Sequence, residues 1–497
     1  MKEMDRRSFI KASAIFASSL GMLPALTGCQ STKSNSASRP LPVTARVRGA
    51  NEDIRIAVVG FNGRGQEHLA GFSKVPGVRL VALCDVDSNV LGKEVQKRKD
   101  KGESVVGYTD IRKLLENPDI DAISIATPNH WHSLAAIWGI QAGKDVYVEK
   151  PVSHNVWEGR QVVKAARHYN QIVQTGTQCR SSSGLKEGIE WVQAGNLGKM
   201  LVARGLCYKR RGSIGKTTGD QPLPKGIDYD LWTGPAAMEP LHRKRLHYDW
   251  HWVWNTGNGD LGNQGIHQMD IARWALGQNE LSPHILTVGG RLGYEDDGQT
   301  PNTLIVYHDY KPVPLIFEVR GLPSKAGTEQ MDEYRKARIG VVLHCENGYL
   351  VMPSYTKAIA YDKNDQKIKE FDGSESHFAN FIKAVRSRKS SDLNADILEG
   401  HLSSALCHTG NISYRMGKQM QPEAIKEAVE DNKEMCETLN RMQEHLKVNA
   451  VDLTKTPATL GAFLKFDPKK EQFVGNRAAN KYLKREYRKP FVVPENV

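Results

Sequence analysis

The chain has 497 residues, enough for about three domains and for a large core that needs no disulfide staples. Charged residues make up 25% and hydrophobic ones 39%, an ordinary globular balance that excludes a disordered or collagen-like chain. The net charge of +12 would suit nucleic acid or an anionic membrane surface, but no tract is dense enough in Lys and Arg to select nucleic acid.

Residues 1–29 read as an address. Arg6-Arg7-Ser8-Phe9-Ile10-Lys11 resembles a twin-arginine export signal, and the apolar stretch from Ala12 to Leu26 is short for a membrane span. It ends in Leu26-Thr27-Gly28-Cys29, which resembles a bacterial lipobox with Cys29 as the lipidated residue. A plain signal peptide, with Cys29 incidental, is the alternative. Residues 30–52 form a Ser/Pro-rich tether. The expected address is the periplasm or cell envelope, with membrane contact through lipid on Cys29. The remaining cysteines, Cys84, Cys179, Cys207, Cys345, Cys407 and Cys436, lack C-x-x-C spacing, so neither a disulfide framework nor a cysteine zinc site is expected.

Residues 53–175 alternate strand and helix patterns. Continuous apolar runs at Ile54–Val59, Leu80–Cys84, Ala122–Ala126 and Asp145–Val148 suit buried parallel strands. Tyr108–Leu115 suggests a turn and helix, and Leu134–Ala142 a second helix. Polar or glycine-rich segments follow the strand ends, as in a doubly wound α/β sheet.

The loop after the first strand is Gly60-Phe61-Asn62-Gly63-Arg64-Gly65. It approximates the dinucleotide fingerprint G-x-G-x-x-G, with Asn62 at the middle position and Gly63 beside it. Gly60 suits the tight turn and Gly65 close helix–sheet packing. Asp85 ends the second strand, where a carboxylate can accept ribose hydroxyls and repel a 2′-phosphate. NAD is therefore expected as cofactor, while Arg64 leaves NADP open.

Three motifs carry a resemblance. Thr127-Pro128-Asn129-His130-Trp131-His132 follows the strand at Ala122–Ala126, Glu149-Lys150-Pro151 follows that at Asp145–Val148, and a Gly-x-His segment, Gly265-Ile266-His267, comes later. The chain thus resembles the Gfo/Idh/MocA oxidoreductase family from about Asp53 to Lys418. The resemblance implies that Thr127, Pro128, Asn129, His130 and Glu149 lie around the cofactor, His130 flanking the nicotinamide. It also implies that Lys150 sits beside the reacting hydroxyl. Residues 176–420 should form an α+β domain with an open, mainly antiparallel sheet. Strand-like runs at Met200–Leu206, Leu286–Val288, Thr303–Tyr307 and Val313–Val319 agree with this. Family members often pair through that sheet, so a homo-oligomer is implied.

Asn263 and His267 are four residues apart, a spacing that shares one helix face. The family usually has Asp at the first of these positions. An amide orients a hydroxyl but cannot take its proton, so the base must be His267 or Lys150. His267 is the expected choice, because a histidine pKa near ~6.5 suits proton transfer at neutrality. Lys150 would then steady developing alkoxide charge. Trp232, Trp250, Trp252 and Trp254, with His247 and His251, suit sugar faces and hydroxyls, although such clusters also build cores. His130 and His132 have no third ligand at useful spacing, so no metal is expected. Residues 421–497 should add a long surface helix from Pro422 and a wrapped basic tail. The expected function is an exported NAD-dependent sugar or glycoside oxidoreductase holding its cofactor tightly, with C3 of a pyranose favoured by resemblance. The alternatives are an NAD-dependent glycosidase acting by transient C3 oxidation and elimination, and a catalytically silent sugar-binding lipoprotein.

Overall fold

The computed structural model describes residues 52–497; the signal, Cys29 and nearly all of the tether lie outside the described residues. The chain first lays down β1 (Ile54–Val59), α1 (Gly65–Phe72), β2 (Val78–Cys84), α2 (Ser88–Asp100), β3 (Val106–Tyr108) and α3 (Ile111–Leu115). It continues with β4 (Ala122–Ile125), α4 (His132–Gln141), β5 (Asp145–Val148), α5 (Val156–His168) and β6 (Val173–Thr175). These strands form one sheet in the order β3-β2-β1-β4-β5-β6, every pair parallel. Every residue of β1, β4 and β5 is buried, which is why the runs are apolar without alternation. Tyr108 ends a short strand rather than opening a helix, since Val106–Tyr108 pairs with Ala82–Cys84. The helix begins at Ile111, with Asp110 accepting the Arg112 N–H at its N-terminus.

A second sheet follows. Its chain-order elements are α6 (Ser183–Gln193), β7 (Met200–Tyr208), α7 (Tyr229–Thr233), α8 (Gly259–Asn263), α9 (Gly265–Ala275), β8 (His284–Gly290), β9 (Thr303–His308) and β10 (Leu315–Arg320). Then come β11 (Ile339–Cys345), β12 (Gly348–Met352), β13 (Lys357–Asp362), β14 (Lys367–Asp372), α10 (His377–Ser387), α11 (Ile397–Arg415) and β15 (Lys418–Gln419). The main path runs β14-β13-β12-β11-β7-β10-β9-β8. Among these neighbours only β7 and β10 are parallel. The sheet is mixed and mostly antiparallel, and the chain is an α/β fold.

Buried residues of α6, α9 and α11 form one apolar cluster with one face of this sheet. The other face is covered as well. Residues 422–448 form two helices, α12 (Pro422–Val429) and α13 (Lys433–Val448), rather than one. Asn432 separates them by capping α13 through the Met435 N–H. Leu439, Met442 and Leu446 pack with Ile305 and Ile316 of the sheet. Arg204 of β7, 1% exposed, reaches out to Thr438 at 2.6 Å and Glu434 at 2.5 Å on α13. The basic tail wraps back onto the first sheet's helices: Phe491 and Val493 join the cluster of Leu134, Ile137 and Val162.

Candidate active site

The order of the first sheet reverses between β1 and β4, and the crevice outside the carboxyl ends of such strands is where open α/β sheets bind ligands. A cleft of about 360 Å³ opens there. Its wall begins at Gly60, whose φ of +77° and lack of a side chain let the loop meet β4. A Cβ at Gly60 would sit 2.8 Å from the Thr127 nitrogen, so only glycine fits. Gly65 lies inside the turn rather than on the wall; its Cβ would meet the Gly60 carbonyl oxygen at 2.1 Å. At Gly63 a Cβ would meet nothing within 4 Å, leaving open space beside the backbone next to Asn62.

Asp85 closes this end of the cleft. One carboxylate oxygen accepts the Phe61 N–H at 3.1 Å and the other the Asp87 N–H at 3.0 Å, tying the strand end to the glycine loop. Burial raises its pKa, and those two N–H groups oppose the shift. Lone pairs remain for two vicinal hydroxyls. Arg64 is committed elsewhere, its Nε 2.9 Å from Glu149 and a second nitrogen on Glu67. A 2′-phosphate would have to compete with Glu149 for it.

Glu149 is nearly buried. Burial alone would raise its pKa, but His68, 3.0 Å away, and Arg64 overcome this and hold the carboxyl well below the usual range. It therefore supports the cleft floor as a fixed anion. Thr127 and Pro128 line the cleft, and the Thr127 hydroxyl oxygen is buried without a hydrogen-bond partner, so a ligand donor or acceptor there would satisfy it. Asn129 and His130 do not take the expected places. Asn129 donates to Asn258 at 2.5 Å. His130, 1% exposed, sets its ring nitrogens against the carbonyl oxygens of Trp232 and Thr256. Both side chains clasp the two sheets' domains together instead of facing the cleft. The open backbone at Gly63, the paired Asp85 and the unsatisfied Thr127 hydroxyl fit a dinucleotide with a free ribose diol.

At the far end the cleft is lined by Lys150, Asn263, Trp232, Tyr248 and Trp250. Lys150 Nζ donates to the Asn263 carbonyl at 2.8 Å, so the ammonium is held where the two domains meet. Burial lowers its pKa against the opposing pull of Glu149. The Asn263/His267 pair is not carried on one helix. Asn263 ends α8, His267 lies in the first turn of α9, and the bond from His267 N–H to Gln264 O is of i,i+3 type. His267 is 4% exposed and is not among the residues that line the cleft; its ring is 5.0 Å from that of Tyr355 and its Nδ1 is buried without a hydrogen-bond partner. Burial, with the Lys150 charge adding, pushes its pKa down to about 3, so the ring is neutral and weakly basic. Trp252 and Trp254 lie off the wall, covered by the Arg291 and Arg415 guanidinium groups. His247 lines the cleft and meets Asp87 at 3.3 Å, whereas His251 is buried against the Tyr248 carbonyl.

Sequence reasoning missed a hydrogen-bonded set next to Asn263 in the chain. Lys209, just past β7, donates to the Gln264 side-chain oxygen at 2.8 Å, and Gln264 donates to the Tyr355 hydroxyl at 2.7 Å. Arg211 forms a two-pronged pair with Asp260 at 2.7 and 2.6 Å. The Lys209-Arg210-Arg211 run was the available signal, but nothing local says which of the three faces a site.

A parallel dinucleotide-type sheet, joined at its crevice to an antiparallel sheet that supplies the far wall, defines an NAD-binding oxidoreductase fold. Residues 54–177 match the oxidoreductase family with an NAD-binding Rossmann fold, and residues 192–311 match its C-terminal alpha/beta domain. The chain belongs to the Gfo/Idh/MocA oxidoreductase family. It is similar to a protein of Saccharopolyspora erythraea named glycosyl hydrolase family 109 protein, 28% identical over 52% of this chain and 52% of that one. It is also similar to the alpha-N-acetylgalactosaminidase of Shewanella oneidensis, 29% identical over 41% of this chain and 44% of that one. The chain thus spans about half the length of these relatives. Its fold matches the WlbA dehydrogenase of Bordetella pertussis, solved with NADH and UDP-GlcNAcA, with a TM-score of 0.54 and 17% identity over 72% of this chain and 96% of that one.

Proposed function

We propose that the chain oxidises a ring hydroxyl of a sugar or glycoside to a ketone, C3 of a pyranose being the favoured position. The observation that carries this reading is the single cleft that joins the glycine loop and Asp85 at one end to Lys150, Asn263 and the indoles Trp232 and Trp250 at the other. Indole faces suit the apolar faces of sugar rings. When bound, the nicotinamide supplies the hydride acceptor. The chain's own residues do the rest: Asn263 and the indoles orient the ring, and Lys150 receives the hydroxyl proton. Lys150 takes the role expected of His267 because it reaches the cleft and its burial favours the neutral amine. His267 is buried and neutral.

A second reading is favoured by the names of the relatives. In a glycosidase, oxidation at C3 acidifies the C2–H, loss of that proton expels the C1 leaving group, and water adds at C1. Return of the hydride to C3 then makes the reaction redox-neutral. Mass spectrometry of products from a panel of hexosides separates the readings: a keto-sugar supports net oxidation, and free sugar with released aglycone supports cleavage. Neither product from any glycoside would favour the catalytically silent sugar-binding reading.

The proposal extends to place and assembly. We propose twin-arginine export and lipid anchoring at Cys29, from the Arg6-Arg7 pair and the Leu26–Cys29 segment. We also propose self-association. Because α12 and α13 cover the sheet over β8 to β10, pairing through the sheet would use the β13–β14 side, and light scattering on the purified protein tests it.

A further inference from the structure

The segment between β7 and α8 crosses from the second domain to the first. Near its middle it is fastened to residues 86–89, which follow directly on Asp85. The Ser88 N–H and hydroxyl both donate to the Gly226 carbonyl, at 2.9 and 3.0 Å, and the Asn89 side chain donates to the Lys225 carbonyl at 2.8 Å. Asp87 and Ile227 form an antiparallel bridge, and the Asp228 N–H donates to the Val86 carbonyl at 3.3 Å. Gly226 permits this approach. Its φ is +89°, and a Cβ there would stand 2.4 Å from the Asn89 side-chain nitrogen and 2.8 Å from the Ser88 hydroxyl oxygen. Residues 222–226, with Ser88 and Asn89, are exposed, so this clasp can open without disturbing either core.

The clasp lies at the Asp85 end of the cofactor cleft. Val86 lines the cleft and packs, with Ile227, against a small buried cluster of Trp232, Leu241 and Leu246. Past that cluster the segment itself becomes cleft wall, since His247 and Tyr248 line the same space as Gly60 and Asp85. The His247 ring comes within 3.3 Å of Asp87 and is near enough to act on the Asp85 carboxyl. Tyr248 has a φ of +65°, in the left-handed region that disfavours a bulky residue. Its phenol accepts from Arg211, which is locked onto the buried Asp260. Strain held in this way keeps two consecutive side chains of the second domain on the wall of the nucleotide site.

We propose that residues 224–250 are the outer half of the cofactor site. They close over the bound dinucleotide, His247 hydrogen-bonds its ribose beside Asp85, and the dinucleotide leaves only when the clasp on residues 86–89 opens. The proposal rests on the cleft being the NAD site and is independent of what the substrate is. Release that waits for a segment to lift is slow, because a conformational step then sets its rate.

The test is the rate at which bound NADH leaves the purified protein, followed by its fluorescence after excess NAD is added. Gly226→Val, outside the cleft and on the surface, should speed release at least about tenfold, and Ser88→Ala with Asn89→Ala should speed it less. His247→Ala should weaken NADH binding by about tenfold, the usual worth of one hydrogen bond at a site. The paired substitutions Ser88→Cys and Gly226→Cys place a sulfur beside a Cβ, so oxidation can lock the clasp as a disulfide. Locked protein should release NADH more slowly than the native protein and recover on reduction, a response that a purely structural role would not give. Release at the native rate from Gly226→Val or from the locked form would overturn the clasp, and unchanged affinity in His247→Ala would overturn the ribose contact. Either result leaves NAD binding itself standing. Native protein that takes up no NADH would overturn the proposal and the reading of the cleft together.

Discussion

In the proposed reaction, Lys150 is the residue on which the chemistry turns. A neutral amine must accept the proton, so kcat/KM should rise with pH through a single step below the ordinary lysine value of about 10.4. The direction follows from its lowered pKa: less alkali is needed to free the amine. Were His267 the base, its pKa of about 3 would leave the profile flat from mildly acidic pH upward. Lys150→Ala should cost ~10²–10⁴-fold in turnover while still binding NAD, the usual worth of a positioned proton-transfer group. Asp85→Ala should weaken NAD binding instead, measurable by titration calorimetry, because it removes the diol acceptor and frees the Phe61 and Asp87 N–H groups. The glycine loop, Asp85 and Lys150 were legible in the sequence because each follows a strand end and acts through local geometry. The Lys209–Gln264–Tyr355 chain was not, since it gathers residues more than fifty positions apart whose meeting depends on the second sheet. The Asn263/His267 spacing was read as one helix face, which holds only if the helix is unbroken, and it breaks at Gln264.

At the scale of elements, the parallel sheet was readable because burial on both faces leaves uninterrupted apolar runs. The antiparallel sheet was only partly so. Cys345-Glu346-Asn347-Gly348 joins β11 to β12, and its Asn-Gly pair is a hairpin signal, yet the flanking runs are short and easily taken for other structure. The helical pattern from Pro422 hid a break, because Asp431-Asn432 is polar at positions where a continuous helix would also be exposed. The C-terminal strap offers a clear test. Phe491 is 1% exposed, packs against Trp131 and Trp138, and lies on the back of the wall that Trp131 gives the cleft. Phe491→Ala should cost about 3–5 kcal/mol of stability, the usual price of removing a buried aromatic ring. The denaturation midpoint of the nucleotide-binding domain should fall accordingly. An unchanged midpoint would mean that the strap is not part of that core.

For the molecule as a whole, the proposed export and the nucleotide site bear on each other. A folded protein carried out of the cytoplasm can take its cofactor with it, and no free nicotinamide pool is expected outside. Protein purified without added nucleotide should therefore retain close to one nicotinamide dinucleotide per chain after long dialysis, and Cys29→Ser should move it from membranes to the soluble envelope fraction. Empty protein that consumes added NAD in step with product would contradict retention. The most direct check of the central claim, ring oxidation at Lys150, is nicotinamide absorbance after rapid mixing of loaded protein with a turned-over glycoside. The account predicts reduction of the bound cofactor before or with product release, and its near loss in Lys150→Ala protein that still holds NAD. Product formed with no reduction at any time, or reduction at the native rate in Lys150→Ala, would contradict it.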